Sequence, residues 1–365
     1  MDIPFNIPYT TGKEIEYLEE AIAKGSFSSS GYFNQASEEK LREITKASEV
    51  LLTTSCTHAL GMCAILLDIS EGDEVLMSSF NFVSAANAFA LRGAKIVFVD
   101  IDPDSMNINP DLIEAAISEK TKAILVMHYA GVPCAMDRIK SISLKHNIPL
   151  IEDAAHCIDS YYKKQHLGTI GDLGALSFHA TKNIHCGEGG ALLINNEKYK
   201  ERAYVLRDKG TNRRIFMQGK VDKYSWVDVG SSYGLSELNA AFLYAQLENI
   251  SVITAKRKHL AYYYFNKLIM VPKMAEIGNG HIFFIKCKDE KDRKKLVKFL
   301  QDRKIGSSFH YVPLHTSSYG IEKTHFVGED KFTSIESSRL LRIPIYPQLN
   351  NIDYVVELIS QYYEG

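Results

Sequence analysis

The sequence predicts an α/β protein with a large, mainly parallel sheet and a smaller α+β region at its C-terminal end. Short apolar runs rich in β-branched residues recur between Lys95 and Ile194. Segments with helical spacing separate most of them. After about residue 250 the pattern changes to long helices around an isolated strand-like run. Alternation of the first kind argues for parallel strands crossed over by helices, with ligands at the carboxyl ends of the strands.

In chain order, Lys13 to Lys24 carries Ile15, Leu18, Ala21 and Ile22 at helical spacing. Thr53-Thr54-Ser55-Cys56-Thr57 precedes a second helix whose Leu60, Cys63, Ala64 and Leu67 form one apolar face. Either Ser55 or Thr57 suits its N-cap. Strands are expected at Lys95–Asp100, Lys122–Met127, Ile148–Ile151, Gly174–Phe178 and Gly190–Ile194, each apolar enough to be buried on both faces. Asn109-Pro110-Asp111 opens a helix, with Asn as cap and Pro in the first turn. Arg138 to His146 is another helix.

Further on, Leu247 to Leu268 is expected as one long helix and His281 to Cys287 as a strand. Lys291 to Arg303 presents Leu296, Phe299 and Leu300 on one helical face, and Ile352 to Tyr362 closes the chain as a helix. The division follows: a large domain over 1–250 and a small domain over 251–365.

Bulk properties narrow the function. The 365 residues are 45% hydrophobic and 24% charged, an ordinary globular balance. A formal net charge of -2 gives no electrostatic case for nucleic acid or an anionic membrane as partner. No apolar stretch is long enough to span a bilayer, and Met1-Asp2-Ile3-Pro4-Phe5-Asn6 does not resemble a signal peptide. The six cysteines form no C-x-x-C pair, so no metal site is expected and a reducing cytoplasm is the simpler setting.

The chemistry concentrates around Lys182. A strand-like run ends in Ser177-Phe178-His179-Ala180-Thr181-Lys182-Asn183, and Gly187-Glu188-Gly189-Gly190 follows. Upstream, Asp153 stands directly after an apolar strand in Ile151-Glu152-Asp153-Ala154-Ala155-His156. A lone aspartate there is often only a helix cap, and a lone lysine only a surface charge. Together they suit pyridoxal phosphate (PLP). The lysine forms an imine with the cofactor aldehyde, and the carboxylate keeps the pyridine nitrogen protonated. His156 reads either as a contact to this cofactor or as a polar helix residue. Thr57 and His58, at a helix N-terminus, are candidates for the cofactor phosphate with Ser177. Phe82 is a candidate to stack on the ring. The basic loop Asp208 to Arg214, with Lys209, reads as a substrate contact or as a solvated charge cluster. Phe309 to His315, with His310, Tyr311 and His315, reads as substrate contacts or as a structural turn.

Taken together, these residues resemble the DegT/DnrJ/EryC1/StrS family of nucleotide-sugar aminotransferases. Thr54-Ser55-Cys56-Thr57, Gly72-Asp73-Glu74-Val75, Phe82-Val83-Ser84, Asp153-Ala154-Ala155-His156, Ser177 to Asn183, Gly187 to Gly190 and His310 to His315 carry the resemblance over nearly the whole chain. It implies PLP-dependent fold type I and a homodimer with shared active sites. It also implies Lys182 as the Schiff-base lysine, Asp153 on the pyridinium, Thr57, His58 and Ser177 on the phosphate, and Phe82 on the ring. Relatives use an Asn of the neighbouring subunit in Gly-x-Asn-Tyr-Arg. Here Gly230-Ser231-Ser232-Tyr233-Gly234 puts Ser232 at the Asn position and Gly234 at the Arg position. Members without the lysine dehydrate sugars, so Lys182 favours transamination, from L-glutamate to C4 of a dTDP-4-keto-6-deoxyglucose. The rival readings are a C3 aminotransferase for a 3-keto sugar and a PLP-binding regulator without turnover.

Overall fold

The computed structural model describes residues 2–364. The first half runs α1 (Glu14–Ala23), α2 (Tyr32–Thr45), β1 (Glu49–Thr53), α3 (Cys56–Leu66), β2 (Glu74–Ser78), α4 (Val83–Ala90) and β3 (Lys95–Val99). Then come α5 (Pro110–Ile113), β4 (Thr121–Met127), α6 (Met136–His146), β5 (Leu150–Asp153), the small hairpin β6 (Tyr161–Tyr162) and β7 (Gln165–His166), β8 (Leu173–Ser177) and β9 (Gly190–Ile194). The second half is mostly helical: α7 (Lys200–Arg207), α8 (Arg213–Met217), α9 (Glu237–Glu248), α10 (Ile250–Lys267), α11 (Glu290–Gln301), α12 (Ser318–Lys323), α13 (Thr333–Arg339) and α14 (Ile352–Glu364). Short strands β10 (Phe284–Lys286), β11 (His325–Phe326) and β12 (Leu340–Arg342) are interspersed. No helix among the described residues is long and apolar enough to cross a membrane.

The large sheet has the order β1-β9-β8-β5-β4-β2-β3-β11. Its strands pair in parallel except that β9 runs against both β1 and β8. All five residues of β8 and of β9 are buried. Alternate residues feed two cores. Leu52, Leu76, Val126 and Leu193 face one layer of helices, and Leu51, Val75, Leu125 and Leu192 face the other. Because side chains alternate with period two, a strand covered on both faces reads as a continuous apolar run. A third core joins α10, α11, α14, β10 and β12 to Phe80, Ile101 and Tyr129 from the sheet region.

Several expectations shift. Strand β5 spans Leu150–Asp153 rather than 148–151, so Glu152 and Asp153 belong to the strand itself. The long helix does not start at Leu247; it breaks at Asn249, leaving α9 and α10 as separate helices. The run from His281 contributes only Phe284–Lys286 to a sheet, because β12 offers a partner three residues long. Helix α3 is buried nearly all round instead of along one face, since it lies between the sheet and α4 and α7.

Glu152 ties the centre of the sheet together. Its side chain is fully buried, beside the equally buried His128. One carboxylate oxygen accepts from the N–H groups of Ile170 and Gly171, both at 2.6 Å. The other accepts from Gly168 N–H at 2.8 Å and from His128 Nε2 at 2.9 Å. His128 Nδ1 in turn accepts from Cys134 N–H at 3.1 Å, which directs the Nε2 hydrogen at Glu152. Burial pushes the Glu152 carboxyl up, but His128 and these N–H groups outweigh it and hold the pKa below the ordinary value. The turn before β8 can come this close because Gly174 has no side chain: a Cβ there would lie 2.1 Å from Gly168 O.

Replacing Glu152 by Gln sets an amide N–H₂ against N–H donors and removes the charge they converge on. The Glu152→Gln protein is expected to lose about 3 kcal/mol or more of stability. Denaturant unfolding of variant and parent measures this; equal midpoints would contradict it.

Candidate active site

The carboxyl ends of β5 and β8 and the amino end of α3 meet at one cavity of about 550 Å³. Thr57, Phe82, Asp153, His156, Ser177, Lys182, His310 and Tyr311 all line it. Parallel pairing of β5 with β8 places Asp153 opposite Ala175. From there β8 runs on to Ser177 and into the loop that carries Lys182. That loop prolongs the β8–β9 ladder, with Phe178 N–H donating to Gly189 O at 2.8 Å and Ala180 N–H to Gly187 O at 2.7 Å.

Ser55 is the cap of α3; its hydroxyl accepts from His58 N–H at 3.1 Å. Thr57 therefore sits in the first turn, where N–H groups lack intrahelical acceptors and the helix dipole favours an anion. β9 begins against this turn: a Cβ on Gly190 would lie 2.3 Å from Cys56 N. Ser177 pairs with Gly190 and so stands across from the same N–H groups.

Burial lowers the Lys182 ammonium to about 8; Arg342 adds to the shift, while Cys56 and Asp153 oppose it. Asp153 is buried, and burial raises its carboxyl, against Ala155 N–H, Lys182 and His128. A cation on the ring nitrogen of a bound pyridine would reverse that shift. His156 is buried as well: Nδ1 accepts from Ala130 N–H at 3.3 Å, and Tyr311 Oη lies 3.4 Å from Nε2. Burial holds this imidazole well below its ordinary value, in the neutral form.

Four sequence candidates lie elsewhere. His58 is exposed, turned toward Thr54 and the Tyr233 ring. Lys209 is exposed in the loop after α7, its N–H bonded to Ser231 O at 3.1 Å. Ser232 is exposed beside Asp208. His315 is held between Ser79, at 2.6 Å, and Asp330, at 3.0 Å, and packs on Phe326. That makes it a fastener for the loop that carries His310 and Tyr311.

Sequence reasoning did not single out Asn183, His281 or Arg342. Asn183 Oδ1 accepts from Arg257 Nε at 2.7 Å and lies 3.1 Å from His281 Nδ1. Arg257 also donates to Ile345 O at 2.8 Å. This network clamps the residue next to Lys182 to α10 and the C-terminal region. Only the pairing Lys182-Asn183 hinted at it.

The residues present fit PLP. A helix N-terminus with Thr57 and Ser177 suits a phosphate, Lys182 offers an amine of lowered pKa, Asp153 offers a buried carboxylate, and Phe82 offers an aromatic face. An open sheet with this site at its carboxyl edge defines a PLP-dependent enzyme of fold type I. The model of the DegT/DnrJ/EryC1/StrS aminotransferase family matches residues 8–360, and the chain belongs to that family. It is therefore an aminotransferase with PLP as cofactor. Among solved structures it is similar to the aminotransferase TlmJ from Streptoalloteichus hindustanus, with 26% identity, TM-score 0.92, and 100% and 99% of the two chains covered. It is also similar to a DegT DnrJ EryC1 StrS aminotransferase from Brucella abortus, with 27% identity, TM-score 0.89, and 97% and 96% covered. The fold is shared with the PMP-form of the putative sugar aminotransferase Spr1654 from Streptococcus pneumoniae, at 24% identity and TM-score 0.90, over 100% of this chain and 99% of that one.

The lowered Lys182 pKa sets a pH dependence. Below about 8 the group is an ammonium, which is not nucleophilic; above it the free amine predominates. Attachment of PLP to the apoprotein, followed by absorbance, is expected to quicken as pH rises through about 8 and then level off. A rate that falls over that range would contradict the assignment.

Proposed function

We propose that the protein moves an amino group from L-glutamate to C4 of dTDP-4-keto-6-deoxy-D-glucose. The product would be a dTDP-4-amino-4,6-dideoxyhexose for cell-surface polysaccharide synthesis. The observation that carries the reading is an amine of lowered pKa, Lys182, sharing a cavity with the buried Asp153 in a chain of this family. The choice of sugar rests on sequence. Asn87 to Asp100, Lys209 to Arg213 and Val221 to Trp226 are similar to stretches of dTDP-4-amino-4,6-dideoxygalactose transaminases. The segment from Leu268 to His281 is short beside theirs.

When bound, PLP supplies an electron sink for the bond-breaking at the substrate carbon. In this reading Lys182 Nζ attaches the cofactor and, once released, carries the proton to and from the reacting carbon. Asp153 holds the proton on the ring nitrogen, Thr57 and Ser177 hold the phosphate, and Phe82 covers the ring. His156 contributes a neutral imidazole to the same wall, and His310 and Tyr311 meet the sugar. His58, Lys209 and Ser232 are exposed and do not line the cavity of their own subunit. We assign Lys209 and Ser232 to the partner's site in a homodimer. Exposed apolar residues near them, Trp226, Val227 and Val229, support such a contact. The division into a large domain to residue 250 and a small one from 251 belongs to the same reading. So does a cytoplasmic setting, which suits six free cysteines.

Incubating the enzyme with L-glutamate and, separately, the 4-keto and 3-keto dTDP sugars tests the proposal, with NMR locating the new amine. An amine at C4 is expected; an amine at C3 alone would replace the proposed regiochemistry. An enzyme whose cofactor spectrum ignores glutamate would be a binding protein without turnover. Lys182→Ala is expected to abolish both half-reactions while leaving the fold intact by circular dichroism.

A further inference from the structure

The amide of Asn183 has only one orientation that satisfies its neighbours. Its Nδ2 donates to Asn279 O at 3.2 Å, and a carbonyl oxygen can only accept. Its Oδ1 accepts from Arg257 Nε at 2.7 Å, and a guanidinium can only donate. That same Oδ1 lies 3.1 Å from His281 Nδ1. Facing an oxygen that cannot donate, Nδ1 must carry the ring proton. Asn279 fixes the backbone on either side of this contact. His281 N–H donates to its Oδ1 at 3.1 Å, and its Nδ2 donates to His156 O at 2.9 Å and Ile158 O at 2.7 Å.

The state of the other ring nitrogen follows. Burial is the main force against a charge on His281, and His156, Lys182, Arg257 and Arg342 add to it. Arg342 lines the same cavity and donates to neutral oxygens, Ser308 Oγ at 3.2 Å and Phe309 O at 3.0 Å. A neutral ring with its proton on Nδ1 leaves a lone pair on Nε2. Among the described residues the ring's hydrogen bond is the one at Nδ1, so Nε2 is left for a ligand. His281 lines the Lys182 cavity, and its ring lies 4.6 Å from that of His156. His156 has the opposite tautomer: its Nδ1 accepts from Ala130 N–H, so Nε2 carries the proton. One wall thus presents a donor and an acceptor side by side. Carboxylate and phosphate oxygens match only the donor. A hydroxyl, which both donates and accepts, matches the pair.

We infer that His281 accepts a hydrogen bond through Nε2 from the sugar hydroxyl beside the carbon that receives the amine, and so selects acceptors that carry this hydroxyl. Asn183 connects the two: it follows Lys182 in the chain and sets the His281 tautomer. For a 4-keto-6-deoxy sugar the neighbouring hydroxyl is the one at C3, because C5 carries only the methyl group and the ring oxygen. This deepens the aminotransferase reading above and rests on it. A purely structural His281 would act only through Nδ1, as a fastener for Asn183.

The test separates the two ring nitrogens. His281→Asn keeps a donor near the Nδ1 position and removes the acceptor at Nε2; His281→Gln keeps an acceptor near Nε2 and gives up the contact to Asn183. The glutamate and ketosugar half-reactions of PLP-loaded enzyme are followed apart by the cofactor spectrum. His281→Asn is expected to slow the ketosugar half-reaction about tenfold or more, with a smaller effect on the glutamate half-reaction, and His281→Gln to recover part of the loss. With the dTDP-4-keto-3,6-dideoxy sugar, which lacks the C3 hydroxyl, wild type is expected to fall to the level of His281→Asn, as a direct contact requires. Wild type equally fast on both sugars overturns the inference. So does a His281→Gln protein more impaired than His281→Asn, with both half-reactions slowed together, which marks the structural role. Nitrogen NMR of ring-labelled histidine in the wild-type protein reads the tautomer without turnover; a protonated Nε2 at neutral pH also overturns the inference. If neither variant folds, the NMR and the deoxy sugar decide. Failure of the aminotransferase reading appears separately, as a wild-type spectrum that ignores L-glutamate while the Nδ1–H tautomer of His281 stands.

Discussion

The carboxylate of Glu152 receives four hydrogen bonds in the middle of the sheet, and the geometry of the site follows from them. A buried carboxylate left short of donors would be a heavy liability. Here each oxygen has two, drawn from β5's neighbours on both sides. His128, just after β4, approaches from one flank, and the turn at Gly168 to Gly171, just before β8, from the other. Three stretches of chain distant in sequence are thereby locked in register. The next residue, Asp153, points to the other side of the strand as pleating requires, and opens into the cavity.

The same constraint reaches Lys182 through β8. The strand that enters from the Gly168–Gly171 turn has no freedom to slip, because a one-residue shift would turn its whole apolar set over. Its end, Ser177, is matched to Gly190, whose missing side chain lets α3 close in. Asn183, Arg257 and Ile345 then hold the lysine loop from the opposite side. A long flexible side chain is in this way aimed from a rigid base, and burial rather than a single partner sets its pKa. Two opposed shifts coexist within one cavity. Asp153 is pushed toward protonation and Lys182 toward deprotonation, so both await a ligand that gives each a partner.

Much of the chemistry was legible because it is local. Ser177 to Lys182 follows an apolar run, Asp153 ends another, and Ser55 precedes a helix; each signal sits within a few residues of what it positions. β1 and β2 escaped notice because five-residue apolar runs, Glu49–Thr53 and Glu74–Ser78, abut helices and carry no periodicity of their own. The break at Asn249 was masked because apolar residues continue at helical spacing across it, Leu243 and Leu247 before and Ile250 and Ile253 after. Arg342 belongs to none of the motifs read from the sequence, because nothing near Leu340-Leu341-Arg342 in the chain marks it. His58 and His315 were drawn toward the site by neighbours that do line the cavity or its wall, but adjacency along the chain does not fix which way a side chain turns.

The amino-acid sequence by itself determined the fold class, the cofactor chemistry and the lysine–aspartate pair, since strand ends, caps and glycine loops are written in contiguous residues. Tertiary structure decided the rest: that β9 runs antiparallel, that Glu152 gathers four donors, and that Arg342 meets the cavity without a counter-ion. The reason is physical. Strand direction, burial and charge pairing are properties of contacts between segments far apart in the chain, and those contacts exist only once the sheet has assembled.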